Sequence, residues 1–196
     1  MNDAKKKLIE RIKEWTPDDE PLQLACANLT DADLTDADLT DADLQWADLR
    51  NANLAGANLA SAKLKGAKLE RANLIEANLQ GSNLIEADLR WANLIEANLQ
   101  GSKLQRGDLK RADLERANLT DADLQGADLQ RANLTGANLT GAKLEGANLT
   151  GVIMQYAKLE GADLTGADLT GADLTGTILP DGTIWNQETD MRKFTR

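Results

Sequence analysis

Apolar positions recur along this chain with a period of five. Leu occupies every fifth residue from Leu24 to Leu179, the sole exception being Met154. Over these thirty-two registers Ala stands two residues earlier in twenty-six, and the position between is Asp, Asn or Lys apart from Gln23, Ile153 and Ile178. Five is neither the 3.6-residue period of a helix nor the 2-residue period of a strand, so the pattern predicts a solenoid whose unit is the repeat itself. A core made almost entirely of Leu and Ala packs without voids only if identical layers stack.

The flanks read differently. Residues 3–15 predict a short amphipathic helix: Asp3 or Asn2 caps it, and Leu8, Ile9, Ile12 and Trp15 recur at spacings of three and four. Pro17 and Pro21 end it. This divides the chain into a capping helix and linker (1–21), the repeats (22–179) and a tail (180–196) that opens on the turn signal Pro180-Asp181-Gly182. A solenoid exposes a slice of core and unpaired backbone at each end, so both ends need covers. Leu8, Ile12 and Trp15 at one end and Trp185 and Phe194 at the other are the expected caps; Met191 is a further bulky apolar group there.

A longer period lies inside the first. Ala72–Ser82 reads ANLIEANLQGS, and Ala92–Ser102 repeats it twenty residues on. Duplication explains this, and so does a circuit of four pentapeptides in which residues twenty apart stack. The run A-(D/N)-L-x-x, as in Ala32-Asp33-Leu34-Thr35-Asp36 and Ala147-Asn148-Leu149-Thr150-Gly151, resembles the pentapeptide-repeat family, which is abundant in cyanobacteria. The ILPDGT stretch Ile178–Thr183 resembles the way many such chains end. The resemblance implies an all-β solenoid, a right-handed quadrilateral β-helix of about eight coils, with the short helix and the tail as its covers. Leu34, Leu54, Leu74, Leu94, Leu99 and Ala97 are then core positions pointing inward.

Composition narrows the function more than it names it. The chain has no His, which removes His-based acid/base catalysis, His metal ligation and Ser-His triads. A solid core offers no internal pocket. Neither an enzyme nor a cofactor or metal is expected, and no catalytic residue is assigned. Net charge is −10, which disfavours direct binding to nucleic acid. No apolar run spans a membrane, and with no secretory signal and a single cysteine, Cys26, the expected location is the cytoplasm. The charge is uneven: −7 over residues 1–50, +2 over 51–120 and −5 over 121–196, counting Asp and Glu against Lys and Arg.

Candidate binding residues are the outward groups. Asp31, Asp36 and Asp41, with Asp33, Asp38 and Asp43, make an acidic run readable as a docking patch for a basic partner, a calcium site or a solvated face. Stacking at twenty gives an amide file, Asn58, Asn78, Asn98, Asn118 and Asn138, expected to hydrogen-bond along the rod. It also gives a charged file, Asp48, Lys68, Asp88, Asp108, Asp128 and Asp168, beside Arg71, Trp91, Arg111 and Arg131. Those arginines are expected to neutralise the aspartates and to sandwich Trp91. Alternatively Trp91 with Arg71 and Arg111 is a recognition hot spot. Ile75 and Ile95 form an outward apolar pair, whereas Trp46 and Tyr156 stand alone.

The leading expectation is a rigid scaffold that binds an unidentified protein through its outer faces, as a monomer or as a dimer through its C-terminal ends. The alternative comes from the resemblance: fluoroquinolone-resistance members of the family mimic DNA and bind DNA gyrase. The acidic ends favour that alternative; the near-neutral middle counts against it.

Overall fold

The computed structural model describes residues 3–16 and 20–196. Asn2 and Pro17, assigned above to the start and end of the first helix, lie outside them. From residue 23 to residue 178, every fifth residue forms a parallel bridge to the residue twenty further on, from Gln23 with Asp43 to Lys158 with Ile178. One circuit is therefore four pentapeptides. At an inter-strand spacing of ~4.8 Å, about eight circuits give a rod roughly 38 Å long.

One repeat shows why the chain closes this way. The Leu54 N–H donates to Asn73 O in the next coil (2.7 Å), as does the Gly56 N–H to Ile75 O (2.9 Å). The Asn53 N–H donates back to Ala32 O in the preceding coil (2.8 Å), and the Ala57 N–H closes a turn on Leu54 O (3.0 Å). That leaves the amide of Ala55, which donates to the side-chain Oδ1 of Asn53 at 3.3 Å. All five backbone donors of the repeat are satisfied, as a packed backbone requires. The same Asx bond recurs at Thr35 on Asp33, Gln80 on Asn78 and Thr150 on Asn148. The Asx position is thus a turn device, which the sequence reading treated only as an outward ladder.

Each corner places its third turn residue at positive φ, the geometry of a type II turn. Thirteen of these thirty-one corner positions are Gly, from Gly56 to Gly176; the other eighteen, from Cys26 to Tyr156, are not. L-residues there cost roughly 1–2 kcal/mol each, so the three inter-coil bonds and the turn bond of each repeat hold the chain in a conformation its side chains resist.

Inside, the Leu and Ala files fill the axis. Leu34, Leu54, Leu74, Leu94, Leu99 and Ala97 are fully buried, as are Val152 and Met154 where the pattern breaks. Ser82 and Ser102 are also buried, and neither hydroxyl has a hydrogen-bond partner. At the N-terminal end α1 (Asp3–Glu14) lies on the first coil with Ile9 and Ile12 buried and Leu8 and Trp15 packed partly against the core. Trp15 falls just beyond the helix, and its Nε1 donates to Glu20 O at 3.0 Å. Lys13 pairs with Asp33 at 3.0 Å, and the Lys5 ammonium donates to the carbonyl of Thr30.

At the other end the chain reverses after Leu179, and Ile184 bridges antiparallel to Ile178. The tail then crosses the last coil through α2 (Arg192–Thr195), and the Gly166 N–H donates to Thr195 O at 2.9 Å. That amide has no ninth coil to meet; the tail supplies the carbonyl. Trp185, Met191 and Phe194 lie half-buried against the core. Among the described residues no helix is long and apolar enough to cross a membrane.

Candidate interaction edge

The outward positions of each repeat divide into two kinds with different reach. The residue after Leu lies beside the Asx residue of its own repeat and bonds it. Arg50 pairs with Asp48 at 2.5 Å, and Arg90 with Asp88 at 2.7 Å. Arg90 also reaches Glu70 at 3.5 Å and Asp108 at 3.8 Å, and Lys110 bridges Asp108 (3.2 Å) and Asp128 (2.9 Å). A continuous charge ladder therefore runs Glu70–Arg90–Asp108–Lys110–Asp128. The Arg50 guanidinium holds the Asp48 carboxyl below its ordinary range. At Asp88 burial works to raise the pKa, and the bonds from Arg90 outweigh it, so the net shift is downward. Hydrogen bonding to Asp128 raises the Lys110 ammonium above the usual lysine range.

The corner residue at positive φ behaves differently: its side chain leans along the rod toward the residue twenty further on. A Cβ on Gly66 would sit 2.1 Å from Trp46 Cζ3, and one on Gly176 would sit 2.6 Å from Tyr156 Cδ1. Trp46 and Tyr156 are therefore not isolated surface groups. Each lies over the bare corner of the next coil, in the manner of aromatic cover for exposed glycines. Trp91 has Arg111 as its neighbour in that direction, and the guanidinium carbon sits 4.5 Å from the ring centroid.

This corrects the expected division of labour. Asp48, Asp88, Asp108 and Asp128 of the aspartate file are paired with Arg50, Arg90 and Lys110, not with Arg71, Arg111 and Arg131, because lean along the rod carries corner side chains away from the Asx file. Nor is Trp91 sandwiched: Arg111 makes the cation–π contact, and no ring contact joins Arg71 to Trp91 among the described residues. Arg71, Trp91, Arg111 and Arg131 share one corner file, all exposed, with Trp91 at 48%. Ile75 and Ile95 are half-buried rather than presented to solvent. Side chains after Leu stack at ~4.8 Å, closer than an Ile is wide, so neighbours in the file shield one another.

Asp31, Asp36 and Asp41 occupy three successive corners of the first coil. Asp31 accepts from Asn51 Nδ2 at 3.1 Å. Asp33 and Asp38 accept from the hydroxyls of Thr35 and Thr40. The Thr35 bond and Lys13 lower the pKa of Asp33 to about 2. Among the described residues no three His, Cys, Asp or Glu side chains are grouped to hold a metal ion. The amide file does bond along the rod, with Asn78, Asn98 and Asn118 each donating to the Asn twenty residues earlier at 2.9, 3.1 and 3.1 Å.

Comparison with known proteins agrees with this geometry. The chain is similar to HetL, a pentapeptide repeat protein involved in heterocyst differentiation regulation from the cyanobacterium Nostoc sp. strain PCC 7120. Identity is 37%, 83% of each chain is covered, and the TM-score is 0.57. It is also similar to QnrB1, a plasmid-mediated fluoroquinolone resistance protein, at 22% identity over 79% of this chain and 84% of that one, with a TM-score of 0.61. No curated protein sequence matches the chain. The family model for pentapeptide repeats matches in eight copies between residues 23 and 180. With the repeat covering that span and a relative of this identity covered over most of its length, the chain belongs to the pentapeptide-repeat family.

Proposed function

We propose that this protein is a non-enzymatic scaffold, built as a right-handed quadrilateral β-helix, that binds another protein through its outer surface. The observation that carries this reading is the uneven decoration of the corners. From Cys26 to Arg116, fifteen of nineteen corner positions bear side chains; from Asp121 to Gly176, three of twelve do. Glycine is the residue without steric penalty at every one of these positions, and the second half uses it. The first half keeps Trp, Arg, Asp and Glu there at a cost in stability, and strained positions concentrate where a protein makes its contacts. The likeness to HetL, a protein involved in regulating differentiation, supports binding over turnover.

The test is capture of a partner by the tagged full-length protein from a lysate of its source. A protein retained at near-stoichiometric level, and lost when the corners between residues 26 and 116 are converted to Gly, is the expected result. Equal retention by the Gly-cornered protein refutes the reading. At 22% identity the likeness to QnrB1 carries the fold alone, so gyrase binding rests on the acidic first coils only. A supercoiling assay checks it, with no inhibition expected at micromolar protein.

A further inference from the structure

One edge of the rod carries two parallel rows of cations in opposite states. Arg50, Arg90 and Lys110, one step after Leu, are each paired with carboxylates of the adjoining face. Arg71, Arg111 and Arg131, one step further round the corner, form no ion pair among the described residues, although they stand beside that same row. The corner backbone explains the difference. Positive φ turns these side chains along the axis, out of reach of the Asp file, and leaves their charges facing solvent on either side of a half-exposed Trp91. Arg111 is further pre-positioned by its stacking on the indole.

We propose that this edge receives an extended acidic segment of a partner protein, lying parallel to the rod axis, with carboxylates on Arg71 and Arg131 and an apolar side chain on Trp91. The proposal rests on the scaffold reading and adds the place and the chemistry of the contact. The spacing suits an extended chain. Arg71 and Arg131 are three coils apart, ~14 Å at ~4.8 Å per coil, and a strand rising ~3.3 Å per residue covers that in four to five residues. Alternate side chains point to one side, so an acid–x–apolar–x–acid segment puts its ends near the two arginines and its middle residue over the indole. Arginine and tryptophan together are the residue types that dominate binding energy at interfaces. Charge complementarity favours an acidic peptide over nucleic acid as the occupant. A short acidic peptide can keep to the one basic file, whereas a continuous phosphate backbone would have to pass Glu76, Glu86 and Glu96 on neighbouring corners of the same coils.

The experiment follows the fluorescence anisotropy of a labelled peptide, Glu-Glu-Thr-Leu-Thr-Glu-Glu, titrated with the full-length protein. Saturable binding is expected at low ionic strength, weakening about tenfold at physiological salt, where charges are screened beyond about 8 Å. The double variant Arg71→Glu/Arg131→Glu should weaken it about tenfold more, and Trp91→Ala about fivefold. A peptide with Lys in place of Glu should show no binding that responds to the Arg71→Glu/Arg131→Glu change. Glu already stands at equivalent corners, so the charge-reversed variant should keep the wild-type melting curve, which separates lost binding from lost folding.

Absence of saturable binding, or binding indifferent to the charge reversal, overturns the proposal. Tighter binding of a single-stranded oligonucleotide through the same arginines overturns it in favour of nucleic acid. Salt-sensitive self-association abolished by the variant overturns it in favour of the acidic first coils of a second copy. Capture from lysate separates the two levels: if the charge-reversed protein still retains a partner, the scaffold reading stands and this edge does not.

Discussion

Replacing Gly66 by Ala tests the lean of the corner side chains directly. Gly66 has a φ of +64°, and its added Cβ would lie 2.1 Å from Trp46 Cζ3 and 2.2 Å from Cε3. Two penalties combine. An L-residue in the left-handed region costs roughly 1–2 kcal/mol, reduced by about 0.4–1 kcal/mol because Ala also restricts the unfolded chain. The indole must then move off the corner. Trp46 is 54% exposed, so a little under half of its surface is covered, on the order of 100 Å² for a side chain of this size. At ~25 cal/mol per Å² that is at most about 2.5 kcal/mol, and a ring that swings partly aside loses about 1–2 kcal/mol. Gly101 supplies the control: its φ is +63°, and no atom lies within 4 Å of an added Cβ. Gly101→Ala should cost about 1 kcal/mol and Gly66→Ala about 2–3 kcal/mol in denaturant melts followed by far-ultraviolet circular dichroism. Removing the ring first, in Trp46→Ala, should bring the Gly66→Ala cost down to that of Gly101→Ala, a coupling of about 1–2 kcal/mol across the cycle. Equal costs for the two single Gly substitutions would refute the ring's placement and, with it, the direction assigned to corner side chains.

Three further outcomes follow from the packing and the charges. Leu99→Ala should open a cavity costing about 2–5 kcal/mol, and Ala97→Leu should overpack at about 1–3 kcal/mol; a variant that melts like the wild type contradicts the inward assignment. Ser82→Ala and Ser102→Ala each remove a buried hydroxyl without a partner, and Ala already fills the equivalent sites at Ala62 and Ala122, so each should raise stability by about 1 kcal/mol; a loss would mean the hydroxyls are bonded. The carboxyls of Asp48, Asp88 and Asp33 are depressed in the folded protein. Their contribution is present above the unfolded carboxylate pKa of about 3.9 and is lost as pH falls through the folded values, so melting temperature should hold from neutral pH to about 4 and drop below it; a flat profile to about pH 2 refutes the pairing.

Some of this was legible in the chain alone. The period of five and the repeat at twenty are enough to place Leu99 and Ala97 inside and Asn58 under Asn78, because stacking is a property of spacing. The pairing of charges was not legible, because it depends on the sign of φ at Arg71 and Arg111. Eighteen corner residues are not Gly, so composition hides a left-handed conformation that only the ladder enforces. Two signals were present and were missed. A carboxylate or amide two residues before Thr, as in Asp38-Leu39-Thr40, is an Asx-turn pattern, and it accounts for the fifth backbone donor. An aromatic twenty residues before a Gly, Trp46 to Gly66 and Tyr156 to Gly176, marks a ring lying on a bare corner.

The closed backbone inventory of the repeat also explains why its surface can vary so freely. Four of five amides are bonded to other backbone groups and, where Asp or Asn precedes Leu, the fifth to that side chain, as Ala55 is to Asn53, so neither residue between one Leu and the next Ala is needed to hold the coil. Those two positions nevertheless differ in what they can do for a partner. The residue after Leu lies against the face and is drawn into internal pairs, as Arg90 and Lys110 are. The corner residue projects past its own coil, and where the next corner is Gly it is the outermost group on that edge. On the proposed scaffold reading, recognition falls to the corner files, and the stability set aside to keep L-residues at positive φ is greatest in the half of the molecule where those files carry Trp and Arg.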